Sequence, residues 1–356
     1  LEKSILPSES YTEQKSFHQP REVGRLMPAF WTILEKAREQ KVSLVHLSSH
    51  GKHILSSSFD RKEYDRILNF LGVEQVNNEW YAKCIQSSKR IDEVSEDVYL
   101  DLLLFISYNW RFKFDSTDIK YIPLIKYVGL YGNVSLCSIN ESKQLSRDRV
   151  VSLSSHPDHI SWLIDWNKEF NCPANYFFLP KSTQEAIWIF SERAMVLQWL
   201  RDHVEVDHMN VYEYAHHLNN HLNTHVIALV HFLYHSLQKS FPSQQEVSDL
   251  CRSMPLVDNN RNIKTHRKGV LVPAKGSKWV RLIGSNPWKN EGYVELAEDY
   301  LQPGCFADEF ASGETLLEFL KTYVVASDIP NISPPNAAIP TVSSPLTKKN
   351  AFLLLG

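Results

Sequence analysis

One phrase is written twice in this chain, and it restricts the available folds more than any other feature. An apolar helical run leads to a proline and two apolar residues, then a polar turn, then a second strand-like run. The first copy is Val98 to Trp110, then Ile122-Pro123-Leu124-Ile125, a turn holding Gly129 and Gly132, and Asn133-Val134-Ser135-Leu136. The second is Val226 to Leu237, then Met254-Pro255-Leu256-Val257, a turn from Asp258 to Asn262, and the run Ile263 to Val272. A phrase repeated at this scale predicts two related units rather than one continuous sheet. The length of 356 residues agrees, because it exceeds the size at which a single core stops growing. The expected fold class is therefore α+β, mostly helical, with two small mixed or antiparallel sheets in two repeat-like units.

Local signals divide the chain further. Residues 1–20 are polar and broken by Pro7 and Pro20. A first α+β unit is expected over 21–150. It has a helix from Gly24 to Gln40, a hairpin around Gly51, and a helix opened by Asp60 with Tyr64, Ile67, Leu68 and Leu71 on one face. Ser95 and the acidic Glu96-Asp97 form a helix start before Val98. A polar stretch over 140–156 marks the boundary, so the second unit is expected over 151–326, with a helical insertion. In that unit, Trp279 to Ile283 reads as a strand and Tyr293 to Tyr300 as a helix-like piece. Residues 327–345 hold Pro330, Pro334, Pro335, Pro340 and Pro345 and read as an extended connector. Residues 346–356 read as the start of a truncated helix, and both chain ends read as cuts in a longer protein.

Composition excludes some classes of function. A net charge of -3 argues against a global nucleic-acid or membrane field, though not against a local patch. No apolar run reaches the roughly 18 residues a bilayer span requires. The five cysteines (Cys84, Cys137, Cys172, Cys251, Cys305) are odd in number, scattered and without a CxxC pair. That pattern suits reduced thiols in a nuclear or cytoplasmic protein.

Three constellations invite a chemical reading. Eight histidines lie between positions 203 and 235, and His217, His221 and His225 are spaced to share one helical face, with Glu213 a turn earlier. Zinc would need that face unbroken. Asn219-Asn220 predicts a break, no HExxH pattern joins the set, and no metal site is assigned. Charge is segregated in the second unit. Arg261, Lys264, Arg267, Lys268, Lys275, Lys278, Arg281 and Lys289 are eight basic residues without an acidic one between them, and eight acidic residues follow over 291–320. With Trp279 and Trp288, the basic hairpin could meet a polyanion. The favoured reading is that it folds against its acidic neighbour and cancels the external field. Trp162, Trp166, Trp188 and Trp199 read as core. No nucleophile motif or phosphate-loop spacing is present, so no catalytic or cofactor-binding residue is assigned.

Longer segments carry a family resemblance. Met254-Pro255-Leu256-Val257-Asp258, Gly269 to Ala274, Leu282-Ile283-Gly284-Ser285-Asn286-Pro287-Trp288, Tyr293 to Leu301 and Ile160 to Trp166 resemble the plant NO VEIN-like proteins. The proline-strand unit is also similar to sacsin repeats. Such proteins are very large and carry a gyrase/histidine-kinase-type ATPase domain near the front of a repeat. That nucleotide site needs a helical Glu/Asn pair with DxGxG and GxG loops, which this sequence lacks. The resemblance therefore implies a segment beyond the ATPase, without enzymatic activity or cofactor. Its implied role is scaffolding or chaperone-like, in the nucleus or cytoplasm, in plant development. The implied partners are other proteins and the rest of the parent chain, including its ATPase domain. Nucleic acid is the alternative partner and membrane is not expected.

Overall fold

In the computed structural model, residues 3–9, 16–42, 44, 51–86, 91–114, 118–129, 132–145, 151–170, 177–221, 225–277, 292–302 and 304–328 are described. The fold is α+β and mostly helical, with small sheets. Two compact units form. The first takes Leu1–Pro157 and Asn175–His208, and the second takes Asp158–Ala174 and Met209–Gly356. The chain crosses between them three times, first between Pro157 and Asp158. Residues 175–208 belong with the first unit because Val196, Trp199 and Leu200 are buried in its core.

The first unit is organised by the helix Glu96–Asn109. Ser95 caps it, its hydroxyl accepting from the Val98 N–H at 3.4 Å, and Glu96 and Asp97 meet the positive end of the helix dipole. Val98, Tyr99, Leu102, Leu103 and Ile106 are buried, which joins this helix to Phe30, Ile33 and Leu34 of the helix Pro28–Glu39. The strand Pro123–Val128 pairs antiparallel with Val134–Ser138 and also touches Phe177–Phe178, which runs parallel to Val151–Ser154. A fifth short strand, Asp207–Met209, completes a mixed sheet. Tyr99 fixes the proline-led strand to the helix: its hydroxyl donates to the Leu124 carbonyl at 2.8 Å and accepts from the Lys126 N–H at 3.2 Å. The helix opened by Asp60 is shorter than its pattern implied. The regular helix is Asp65–Phe70, with Leu68 buried but Ile67 57% and Phe70 82% exposed.

The second unit surrounds the helix Val226–Gln238, where Leu229, Val230, Phe232 and Leu233 are buried. Trp166 lies at its centre, with ring centroids 5.4 Å from Phe232 and 5.7 Å from Trp162. The strand Leu256–Val257 pairs antiparallel with Ile263–Lys264 across a turn built by Asp258, whose carboxylate accepts from the Asn260 and Asn262 N–H groups. A separate sheet is wholly parallel: Gly269–Leu271 lies between Tyr293–Glu295 and Ala326–Ser327. Tyr293 to Tyr300 is therefore a strand followed by a 3-10 turn at Glu298–Leu301, not a helix.

Both proline phrases enter hairpins, yet their surroundings differ. The first hairpin belongs to a five-stranded sheet and the second stands as a two-stranded ladder. The clamping hydroxyl also changes origin. Tyr99 precedes its strand, whereas Tyr300, which accepts from the Val257 N–H at 3.1 Å, follows its own. The strand expected at Trp279 to Ile283, the 327–345 connector beyond 328 and the helix start at 346–356 lie outside the described residues.

The helix Gly313–Tyr323 ends in backbone strain. Val325, 62% exposed, takes φ +58°, a left-handed conformation unfavourable for a β-branched residue. Replacing it by glycine, Val325→Gly, is expected to stabilise the second unit by about 1 kcal/mol. A urea midpoint that stays put or falls would contradict this.

Candidate functional site

The basic stretch can be followed at five of its eight positions. Arg261 pairs with Asp299 at 3.2 Å, Lys275 pairs with Glu298, and Lys264 reaches Asp258 at 3.7 Å. Arg267 turns inward and donates to the Cys251, Arg252 and Met254 carbonyls at 2.7 to 3.0 Å. These carbonyls close the helix Gln244–Ser253, so Arg267 acts as its C-terminal cap. Lys268 lies over the Tyr293 ring at 5.4 Å. Two of the five thus meet the acidic stretch that follows. Lys278, Arg281 and Lys289, with Trp279 and Trp288, lie outside the described residues.

The histidine helix runs unbroken past Asn219-Asn220 to His221, contrary to the expected break, and His225 starts the next helix as its N-cap residue. Glu213 is occupied in closing its own helix start, accepting from the Asn210 N–H at 3.0 Å. Among the described residues no group of three His, Cys, Asp or Glu side chains is placed to hold a metal ion. His231 and His235 are a different case, being 1% and 4% exposed. Burial lowers the pKa of both rings, that of His231 to about 4. Nδ1 of His231 and Nε2 of His235 lack hydrogen-bond partners.

Cys84, Cys137 and Cys251 are buried and stand outside any disulfide. Burial pushes their thiols up, to about 12 for Cys137 and Cys251, which suppresses the thiolate a nucleophile needs. The side chains of Cys172 and Cys305 lie outside the description.

A recess lies in the first unit, where no sequence signal pointed. Two helices each end in a widened π-helical turn. Glu96–Asn109 continues as Trp110–Phe114, and Arg193–Trp199 continues as Leu200–Val204. Such turns redirect side chains that a regular helix would stack along one stripe. Tyr108, Trp110, Arg111, Met195, Trp199, Asp202 and His203 line a cavity of about 270 Å³ between them. The Trp110 ring meets Trp199 edge-on at 5.6 Å and lies 5.4 Å from His203. Trp110 and Trp199 are 4% and 3% exposed, and their covered indole N–H groups have no acceptor among the described residues. Other buried indoles, those of Trp31, Trp80, Trp166 and Trp188, also lack one; Trp110 and Trp199 are distinguished by lining the same cavity.

The charges around this recess are unequal. Asp202 is hydrogen-bonded by Arg201 at 3.0 Å, which lowers its pKa, helped by Gln198 and His203. Arg111 is exposed and has no partner among the described residues. The recess thus offers aromatic faces and the guanidinium of Arg111, an arrangement suited to holding a ligand. The sequence showed only an aromatic at the end of each helix, which reads equally as core. Comparisons with family models, with curated proteins and with solved structures find no match to this chain.

Proposed function

We propose that this chain is a non-catalytic, protein-binding segment, scaffolding or chaperone-like, of a large plant protein of the NO VEIN-like kind. It would work in the nucleus or cytoplasm, alongside the rest of its parent chain and the ATPase domain there. The observation that carries the reading is the aromatic recess lined by Trp110 and Trp199, with the exposed guanidinium of Arg111 at its edge. Exposed apolar side chains at Phe70 and Ile189, 82% and 87% exposed, add contact surface of the kind that partners cover. Among the described residues no helix is long and apolar enough to cross a membrane. Burial makes the Cys137 and Cys251 thiols poor nucleophiles and the His231 ring a weak base.

The alternative, a polyanion module using 261–289, is disfavoured by the pairs Arg261–Asp299 and Lys275–Glu298 and by the capping role of Arg267. One experiment separates the two. Cross-linking in plant extract, with the chain alone and joined to its upstream ATPase, should recover the same protein partners reproducibly and in stoichiometric amount. Retention of single-stranded DNA at physiological salt should be weak and barely changed by joint Lys275→Ala, Lys278→Ala and Arg281→Ala substitution. Tight DNA binding with a steep salt dependence, lost in that triple variant, would replace the protein-binding reading.

A further inference from the structure

We infer that the recess between the two π-helical turns receives an acidic peptide segment bearing an aromatic or branched apolar side chain. The inference rests on the protein-binding reading and names its site and the chemistry of its partner. The apolar side chain is called for by the walls. Trp110 and Trp199 meet edge-on, Met195 and Tyr108 are partly open at 36% and 55% exposed, and a cavity of about 270 Å³ holds one large side chain with little to spare. The indole N–H groups of Trp110 and Trp199 are fully covered, so these rings meet the ligand through their apolar faces and edges rather than as hydrogen-bond donors.

The acidic character follows from charge. Arg111, at the edge of the cavity, is the lining cation without a partner, while the lining anion Asp202 is already engaged by Arg201. A carboxylate on the ligand would complete Arg111 in the bidentate geometry that guanidinium favours. A cationic ligand would meet Arg111 as a like charge and would have to displace Arg201 from Asp202 to gain a counter-ion. Aromatic walls alone would suit a methylated ammonium group, but the unpaired arginine argues against that occupant.

The test uses the full chain and three fluorescein-labelled decapeptides. One alternates aspartate with phenylalanine and leucine. The second replaces aspartate by lysine, and the third keeps aspartate but replaces the apolar residues by serine. Fluorescence anisotropy should show the first peptide binding at least tenfold tighter than either control. Arg111→Ala should weaken it about tenfold, and Met195→Glu, placed at the open wall, should weaken it as much or more. Arg66→Ala, which removes another exposed and unpartnered arginine of the same unit, should leave affinity unchanged. Circular dichroism of the variants checks that each is folded.

Equal binding of the lysine peptide, or full affinity in Arg111→Ala, would overturn the inference. So would tighter binding of a trimethyl-lysine peptide than of the acidic one. The two levels of claim fail separately. If partners cross-link equally well to Arg111→Ala and Met195→Glu, the recess is not their site but the protein-binding reading stands. If no partner cross-links to any form, that reading falls, and the peptide titration still decides what the recess accepts.

Discussion

Removing one carboxylate, in Glu96→Ala, should destabilise the first unit by about 3–5 kcal/mol, far more than a surface charge would. Glu96 lies 3.3 Å from Nζ of Lys126, whose side chain is only 5% exposed. The same carboxylate accepts from the Ser182 and Thr183 hydroxyls, each at 2.9 Å. The ammonium also sits 4.3 Å from the centre of the Tyr99 ring. Alanine at 96 would leave a buried cation with only an aromatic face opposite it and would orphan two hydroxyls. Breaking one side of a buried pair carries this larger penalty because the remaining charge stays desolvated. The reverse substitution, Lys126→Met, should change stability by less than about 1 kcal/mol, since Glu96 keeps both hydroxyl donors and is more open to water. Urea denaturation of the two variants checks the asymmetry. Equal losses would show that the pair is not desolvated as described.

Acid should weaken the second unit through His231. The folded ring has its pKa lowered to about 4 by burial, from an ordinary value of 6.5. The unfolded chain therefore takes up the proton first. The contribution to stability is complete above pH 6.5, falls as pH drops and levels off below about 4. At 1% exposure the ring is shielded enough for the loss to approach about 3 kcal/mol. His235, lowered in the same direction, adds to it, while Glu309 at 3.9 Å from its Nδ1 works against that shift and Lys239 in turn occupies Glu309 at 2.8 Å. Carboxylates also titrate in this range, so the informative quantity is a difference. Between pH 7 and 4.5 the native protein should lose about 2.5 kcal/mol more than His231→Leu. Hydrogen exchange of the helices Ile160–Phe170 and Val226–Gln238 would report it, and identical losses in both proteins would refute it.

What could be read in advance follows the range of the forces involved. The helix Glu96–Asn109 was legible because its cap, first-turn acids and apolar spacing lie within a few residues of one another. The turn at Asp258 was legible for the same reason. The break expected at Asn219-Asn220 was not found, because Tyr214, Ala215 and Leu218 are buried and tertiary packing outweighs the modest helix reluctance of asparagine. Tyr293 to Tyr300 looked helix-like, but pairing with the single parallel strand Gly269–Leu271 draws Tyr293–Glu295 into a strand. The recess escaped notice because π-helical turns leave no mark in a hydrophobic pattern, and because Trp110 and Trp199 meet across nearly ninety intervening positions. The charge pairing was half visible: opposite blocks predicted contacts of the kind Arg261 makes with Asp299, but nothing local predicted that Arg267 would cap a helix.

The interleaving of the two units bears on how the protein is made. No single break in the sequence separates them, since 175–208 belongs with the first unit and 158–174 with the second. On a ribosome, the helix Glu96–Asn109 emerges long before Trp199 and Leu200, which bury its end. The helix Ile160–Phe170 must likewise wait for Phe232 before Trp166 is covered. Each unit is therefore held open, with tryptophan uncovered, while part of the other is synthesised. In that interval the nascent chain is most exposed to aggregation and most dependent on whatever binds it.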